Sequence, residues 1–163
     1  MKQRIMFVCI GNAVRSQMAE GFARVYGWDC VVPASGGLSP ATRIDPIAVK
    51  LMSDIGIDIV EHFPKYYDIV AQMGFDRIVN MSGHALPGDP PACPVTVWSV
   101  EDPVGKPEER YRETRDQIQK LIIGLVDEVR SSQPPEPAPQ RPPARTLPGN
   151  LVLDRKRRLR PSS

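Results

Sequence analysis

A chain of 163 residues with 41% hydrophobic and 25% charged residues and a net charge of +2 is long enough for one domain with a real core and has the ordinary balance of a globular protein. No apolar run approaches the roughly 18 residues of a membrane span, and MKQRIMFV leads into strand-like sequence without a signal-peptide cleavage pattern, so a cytoplasmic protein is expected. Three cysteines (Cys9, Cys30, Cys93) and two histidines (His62, His84) have no metal-site spacing and argue against a disulfide framework or a zinc site.

Residues 4 to 9, RIMFVC, form a short apolar run that fits a strand buried on both faces. Ser16 is placed to cap the following helix, where Met18, Phe22 and Val25 recur at helical spacing before Gly27. A strand is expected around Cys30 to Ala34, with Cys30 as a small core residue, and then the loop SGGLSPATRI. DPIAVKLMSDIG predicts a helix with Asp45 as cap, Pro46 at the first position and Gly56 as stop. A shorter helix is expected near Lys65 to Met73, with Tyr66 and Tyr67 covering one of its faces. Strands follow at Arg77 to Met81 and in PVTVWSV, separated by a Gly- and Pro-rich loop in which His84 reads as a surface residue. From Pro107 on, Tyr111, Ile118, Leu121, Ile122, Leu125 and Val129 mark one face of a long helix. Strands alternating with helices predict an α/β fold with a parallel sheet covered on both faces, whose ligands bind beyond the C-terminal strand ends, where Cys9 lies.

After about Arg130 the composition changes. Residues 131–163 hold seven Lys or Arg against two acids, a net of +5, which leaves the rest of the chain at −3. Rich in proline and poor in large apolar residues, this stretch is expected to be a disordered basic tail. Its basic end can touch nucleic acid, an anionic membrane or an acidic partner, but the favoured expectation is a solvated tail with no specific ligand. Two regions are therefore expected, a catalytic domain over 1–130 and a tail over 131–163.

The chemistry concentrates in VCIGNAVRSQMAEG, residues 8 to 21. A strand ends in Cys9; Gly11 and Asn12 are suited to unusual backbone angles; Arg15 and Ser16 then open a helix. Such a turn converges its N–H groups into an anion nest at a helix N-terminus. The same field favours a thiolate, and Ser16 adds a hydroxyl donor. The fork of Arg15 suits two oxygens of a tetrahedral oxyanion. The candidate oxyanion loop is thus Ile10, Gly11, Asn12, Ala13, Val14 and Arg15, with Cys9 as nucleophile. A separate acid must protonate the leaving oxygen, and Asp102, fixed by Pro103 after the fourth strand, is the candidate; Glu101 competes with it.

VCIGNAVRSQMAEGF, DPIAVKLMSDIGID, FDRIVNM, ACPV and VWSVEDP, in this order, resemble the low-molecular-weight protein tyrosine phosphatases and the thioredoxin-coupled arsenate reductases that share their fold. The resemblance covers about residues 4 to 130. It implies a four-stranded parallel sheet with flanking helices, Cys9 as nucleophile, Arg15 as oxyanion binder, Asn12 as the residue that holds the loop, Ser16 as thiolate stabiliser and Asp102 as general acid, with no metal or organic cofactor.

The departures from the family select among its members. Val14 stands where many carry a second loop cysteine. Of the two relay cysteines of the reductases, ACPV supplies Cys93, but Ser82 occupies the other position, and a serine forms no disulfide. Cys93 remains a candidate relay only by reaching Cys9 directly; otherwise thioredoxin, glutaredoxin or a small thiol must resolve the adduct. The loops that carry aromatic rings in the tyrosine phosphatases read GGLSPATRI and DPVGKPEE, which lack the stacking partners of a phenyl ring. The favoured expectation is an arsenate reductase resolved by an external thiol. The alternatives are a phosphatase working through a phosphorylated Cys9 and a non-catalytic anion or partner binder.

Overall fold

Strands and helices alternate along the chain. A computed structural model describes residues 1–135 as β1 (Gln3–Cys9), α1 (Arg15–Tyr26), β2 (Val31–Gly37), α2 (Pro46–Ser53), α3 (Tyr67–Ala71), β3 (Arg77–Asn80), β4 (Val95–Val97) and α4 (Glu108–Ser132). The expected disordered tail lies, from residue 136 on, outside the described residues, while Ser131 and Ser132 still belong to α4. The four strands form one all-parallel sheet in the order β2-β1-β3-β4. Among the described residues no helix is long and apolar enough to cross a membrane.

The sheet is buried on both faces because β1 alternates toward two cores. Ile5 and Phe7 join Met18 and Phe22 of α1, Leu51 and Met52 of α2, and Ile118 and Ile122 of α4. Met6 and Val8 point the other way, to Tyr67 and Val70 of α3 and to Ile78. A central strand flanked by β2 and β3 has no solvated face, which is why RIMFVC is a continuous apolar run.

Asp45 caps α2 as expected, its carboxylate accepting from Ile47 N at 2.9 Å with Pro46 at the first position. α2 closes at Ser53, and Gly56 serves the turn beyond it at φ 81°. Tyr67 is buried under the sheet, while Tyr66, expected to share that role, is exposed. PVTVWSV pairs over only three residues, Val95–Val97, because β4 is an edge strand whose chain then leaves to build the site. β2 runs on to Gly37 rather than stopping at Ala34. Its last two residues pass against backbone: a Cβ at Gly36 would meet Tyr67 Cα at 3.0 Å, and one at Gly37 would meet Ile10 O at 2.7 Å. Glycine is required there by close approach.

Candidate active site

β1 ends at Cys9 on the C-terminal edge of the sheet, and the seven residues from Cys9 to Arg15 wrap back into α1. The outer side of this loop is tied down by its carbonyls: Cys9 O, Ile10 O, Gly11 O and Ala13 O accept from Leu38 N, Ser39 N, Ala41 N and Asp45 N at 2.9–3.1 Å. With the carbonyls turned outward the amides turn inward, and those of Gly11, Ala13 and Val14 find no acceptor among the described residues. This is the geometry of an anion nest at a helix N-terminus. The positive φ that closes the loop falls on Asn12, at 47°, and not on Gly11. A Cβ at Gly11 would meet nothing nearer than Ala13 Cβ at 4.0 Å, so of the two residues expected to take unusual angles, Gly11 does not. Asn12 alone takes the left-handed turn.

Asn12 holds that turn through its side chain. Its Oδ1 accepts from Lys65 N at 2.9 Å and Gln17 Nε2 at 3.1 Å, and its Nδ2 donates to Ser16 Oγ at 2.7 Å. Ser16 Oγ, already accepting from Asn12, is free to donate its proton to Cys9 Sγ, 2.9 Å away, and Asn12 N donates to the same sulfur at 3.2 Å. Two donors therefore converge on Cys9 Sγ. The expected capping role of Ser16 is corrected: Val14 is the N-cap residue, without a side-chain bond, and Ser16 is a buried residue of α1 whose hydroxyl lies against the sulfur.

The loop has a second layer of support. Gln17, fully buried, donates to Asn12 Oδ1 and Phe63 O, and its Oε1 lies 3.0 Å from His62 Nδ1. That nitrogen also lies 3.1 Å from Glu20 Oε2. Both neighbours are acceptors, so Nδ1 carries the proton, and this orients the Gln17 amide toward Asn12. Gln17, His62 and Lys65 were not singled out from the sequence. The partners lie 45 to 53 residues apart, and no local pattern signals them.

Arg15 is buried and held from the far side of the sheet edge. Its Nη1 donates to Met81 O at 2.6 Å and Val100 O at 3.0 Å, and Nη2 faces Asp102 Oδ2 at 3.5 Å. Its Nε is a buried donor without a partner, an arrangement that an oxyanion oxygen satisfies. Asp102 is half exposed at the rim of the cleft. Glu101, the competing acid, is committed to an ion pair with Lys106 and does not line the cleft. That cleft, of about 470 Å³, is walled by Cys9, Arg15, Asp102 and a run of aliphatic side chains that includes Ile10, Ile44 and Val104, with no aromatic ring in its lining.

The other thiols stand apart. Cys30 is a buried core residue. Ser82 follows β3 at the same sheet edge as Cys9, but its hydroxyl is absorbed by the turn, donating to Asn80 Oδ1 at 2.6 Å and accepting from His84 N at 3.1 Å. Cys93 precedes β4 at the opposite end. Because Met6, Ile78 and Val95 share one level, Cys9 lies three residues above that level and Cys93 two below, about 16 Å apart along the strands. Cys93 is half-buried beside Tyr67 and Phe75, and burial, helped by the charge of Asp76, pushes its thiol up from the ordinary value. The structure does not bring it to Cys9. His84 lines a separate hollow beside β4, away from the sulfur. No metal-binding group of His, Cys, Asp and Glu occurs among the described residues.

Most of the described chain matches known proteins. Residues 4–88 match the family model described as low molecular weight phosphotyrosine protein phosphatase. An arsenate reductase of Staphylococcus epidermidis is 35% identical over 124 residues, covering 74% of this chain and 94% of that protein. A glutaredoxin arsenate reductase of Synechocystis is 30% identical over 130 residues, covering 78% and 98%. A solved arsenate reductase in the phosphate binding state superposes with a TM-score of 0.70 at 31% identity, covering 79% of this chain and 99% of that one. On these matches the chain belongs to the low-molecular-weight phosphatase family and, within it, to the group that includes the arsenate reductases.

Proposed function

We propose that this enzyme reduces arsenate to arsenite through Cys9 and that an external thiol completes the reaction. The carrying observation is the pairing of Cys9 Sγ, held by Ser16 and Asn12, with the unpartnered Nε of Arg15 in a cleft of aliphatic walls. Arsenate fits the loop amides and the guanidinium. The Cys9 thiolate attacks arsenic in line, Asp102 protonates the departing oxygen, which leaves as water, and Arg15 follows the charge on the remaining oxygens. Arsenic is still As(V) in this covalent adduct. Reduction needs a second sulfur, and neither Ser82 nor Cys93 is one that reaches it. That the Synechocystis relative is a glutaredoxin arsenate reductase supports an external source. Ordinary thiol chemistry in the cytoplasm suits this role.

The test is arsenite production by purified protein supplied with thioredoxin and its reductase, with glutathione and glutaredoxin, or with mycothiol and mycoredoxin, beside a Cys9→Ser control. Activity with at least one reductant, absent from the control and unchanged by Cys93→Ser, is expected. No arsenite from any mixture with folded protein and reduced Cys9 refutes the proposal.

A second reading, phosphatase action, draws on the position of Asp102 beside Arg15. There one carboxyl can protonate a leaving alkoxide and then take a proton from water. It predicts turnover of a phosphate ester with no reductant. A purely binding role leaves the paired donors on Cys9 without a use.

A further inference from the structure

The cleft is larger than its oxyanion needs. A tetrahedral ion fills the loop itself, whereas a hollow of about 470 Å³ is of the size that holds a drug-sized ligand. The space beyond the loop is walled by Ala41, Thr42, Arg43, Ile44, Pro46 and Val104. The charges around it are committed with one exception. Asp45 accepts from Ile47 N and Tyr111 Oη, Asp102 faces Arg15, and Arg15 Nη1 is taken by two carbonyls. Arg43 is exposed and pairs with no acidic side chain among the described residues. A guanidinium set in a largely apolar wall beside the reactive sulfur is a carboxylate site.

Resting on the reductase reading, we infer that this wall binds the resolving thiol, a small peptide thiol of the glutathione class whose carboxylate pairs with Arg43 while its sulfur lies over Cys9. The step balances without a further reagent. The incoming sulfur bonds to Cys9 Sγ; the Sγ–As electron pair leaves with arsenic, which falls from As(V) to As(III); and arsenite departs with the proton of the thiol. Cys9 is left in a mixed disulfide, which a second equivalent of the same thiol exchanges, freeing Cys9 and releasing the oxidised dimer. A neutral thiol follows the same chemistry but lacks the anchor.

Two measurements test the assignment. In arsenate reduction the KM for glutathione is expected to rise about tenfold in Arg43→Ala and further in Arg43→Glu, a tenfold loss being about 1.4 kcal/mol. The KM for glutathione diethyl ester, whose carboxylates are masked, is expected to match that of glutathione with Arg43→Ala. Equal KM values for glutathione in wild type and Arg43→Ala, or for the acid and its ester in wild type, overturn the assignment. The second measurement is independent of turnover: calorimetric titration of the wild-type protein with S-methylglutathione, which cannot react. Binding weakened in Arg43→Ala upholds the site even if no arsenite forms, in which case the reductase reading alone fails; absent or Arg43-independent binding overturns the site itself.

Discussion

Gly37→Ala tests how the oxyanion loop is held, because the new methyl group has nowhere to go. Its Cβ would lie 2.7 Å from Ile10 O, 2.9 Å from Asn12 Cβ and 3.0 Å from Asn12 N. Ordinary contacts begin near 3.4 Å, so loop and strand must separate by roughly 0.7 Å, comparable to the ~1 Å misplacements that cost up to about a hundredfold in rate. Neither side yields easily. Ile10 O is bonded to Ser39 N at 2.9 Å, Gly37 N to Lys65 O at 2.8 Å, and Asn12 carries the bonds that hold the loop. Forcing a methyl into such a site costs about 1–3 kcal/mol. The expected result is kcat/KM for arsenate lowered about 10- to 100-fold and a melting temperature several degrees lower, about 4 °C per kcal/mol. Gly11→Ala is the matched control. Its Cβ meets only Ala13 Cβ at 4.0 Å, so its melting temperature is expected to stay within about 2 °C of wild type. A Gly37→Ala enzyme within twofold of wild-type kcat/KM, or a Gly11→Ala protein destabilised as much as Gly37→Ala, refutes the reasoning.

Ser16→Ala removes the hydroxyl facing Cys9 Sγ and leaves Asn12 Nδ2 without its acceptor. Steady-state kinetics are expected to show kcat down about a hundredfold, the usual cost of a lost charge-stabilising donor. Tyr111→Phe deletes the 2.8 Å bond to Asp45, a link between α4 and the cap of α2. Urea unfolding is expected to show a loss of about 1.5 kcal/mol, since the acceptor is a carboxylate. The Arg130 guanidinium bonds Asp29 and lowers its carboxyl from 3.8 to about 2. A lowered native pKa stabilises the fold above pH 4 and ceases to do so as pH falls toward 2, so the gap in urea midpoint between wild type and Arg130→Met is expected to be full at pH 5 and to shrink toward pH 2, where only the Arg130 bond to Tyr26 O remains.

What could be read in advance was local. Cys9 to Ser16 is a contiguous strand–turn–helix, and Asp45-Pro46 is a contiguous cap, so chain order alone carries them. What could not be read depends on residues far apart. Gly11 attracted the expectation of special backbone angles because glycine permits them, yet Asn12 has side-chain partners that make the turn worth its strain. Ser16 had the composition of a cap, but capping depends on where the helix begins, and here Arg15 is already helical. Gly36 and Gly37 read as loop, since only their pairing with Val8 and Cys9 of β1 makes them the end of β2. The distance of Cys93 from Cys9 follows from strand register, which spacing along the chain does not contain.

Arg15 joins parts of the molecule that are remote in time as well as in sequence. The carbonyls that hold its Nη1 lie 66 and 85 residues further along the chain, on Met81 and Val100. A refolding chain can therefore form its cysteine turn and first helix early without gaining a working oxyanion site. Loop closure over such lengths is paid late, with the contacts that complete β3 and the segment beyond β4. Recovery of catalysis then trails the return of helical signal, making enzymatic turnover a reporter of the last stage of assembly.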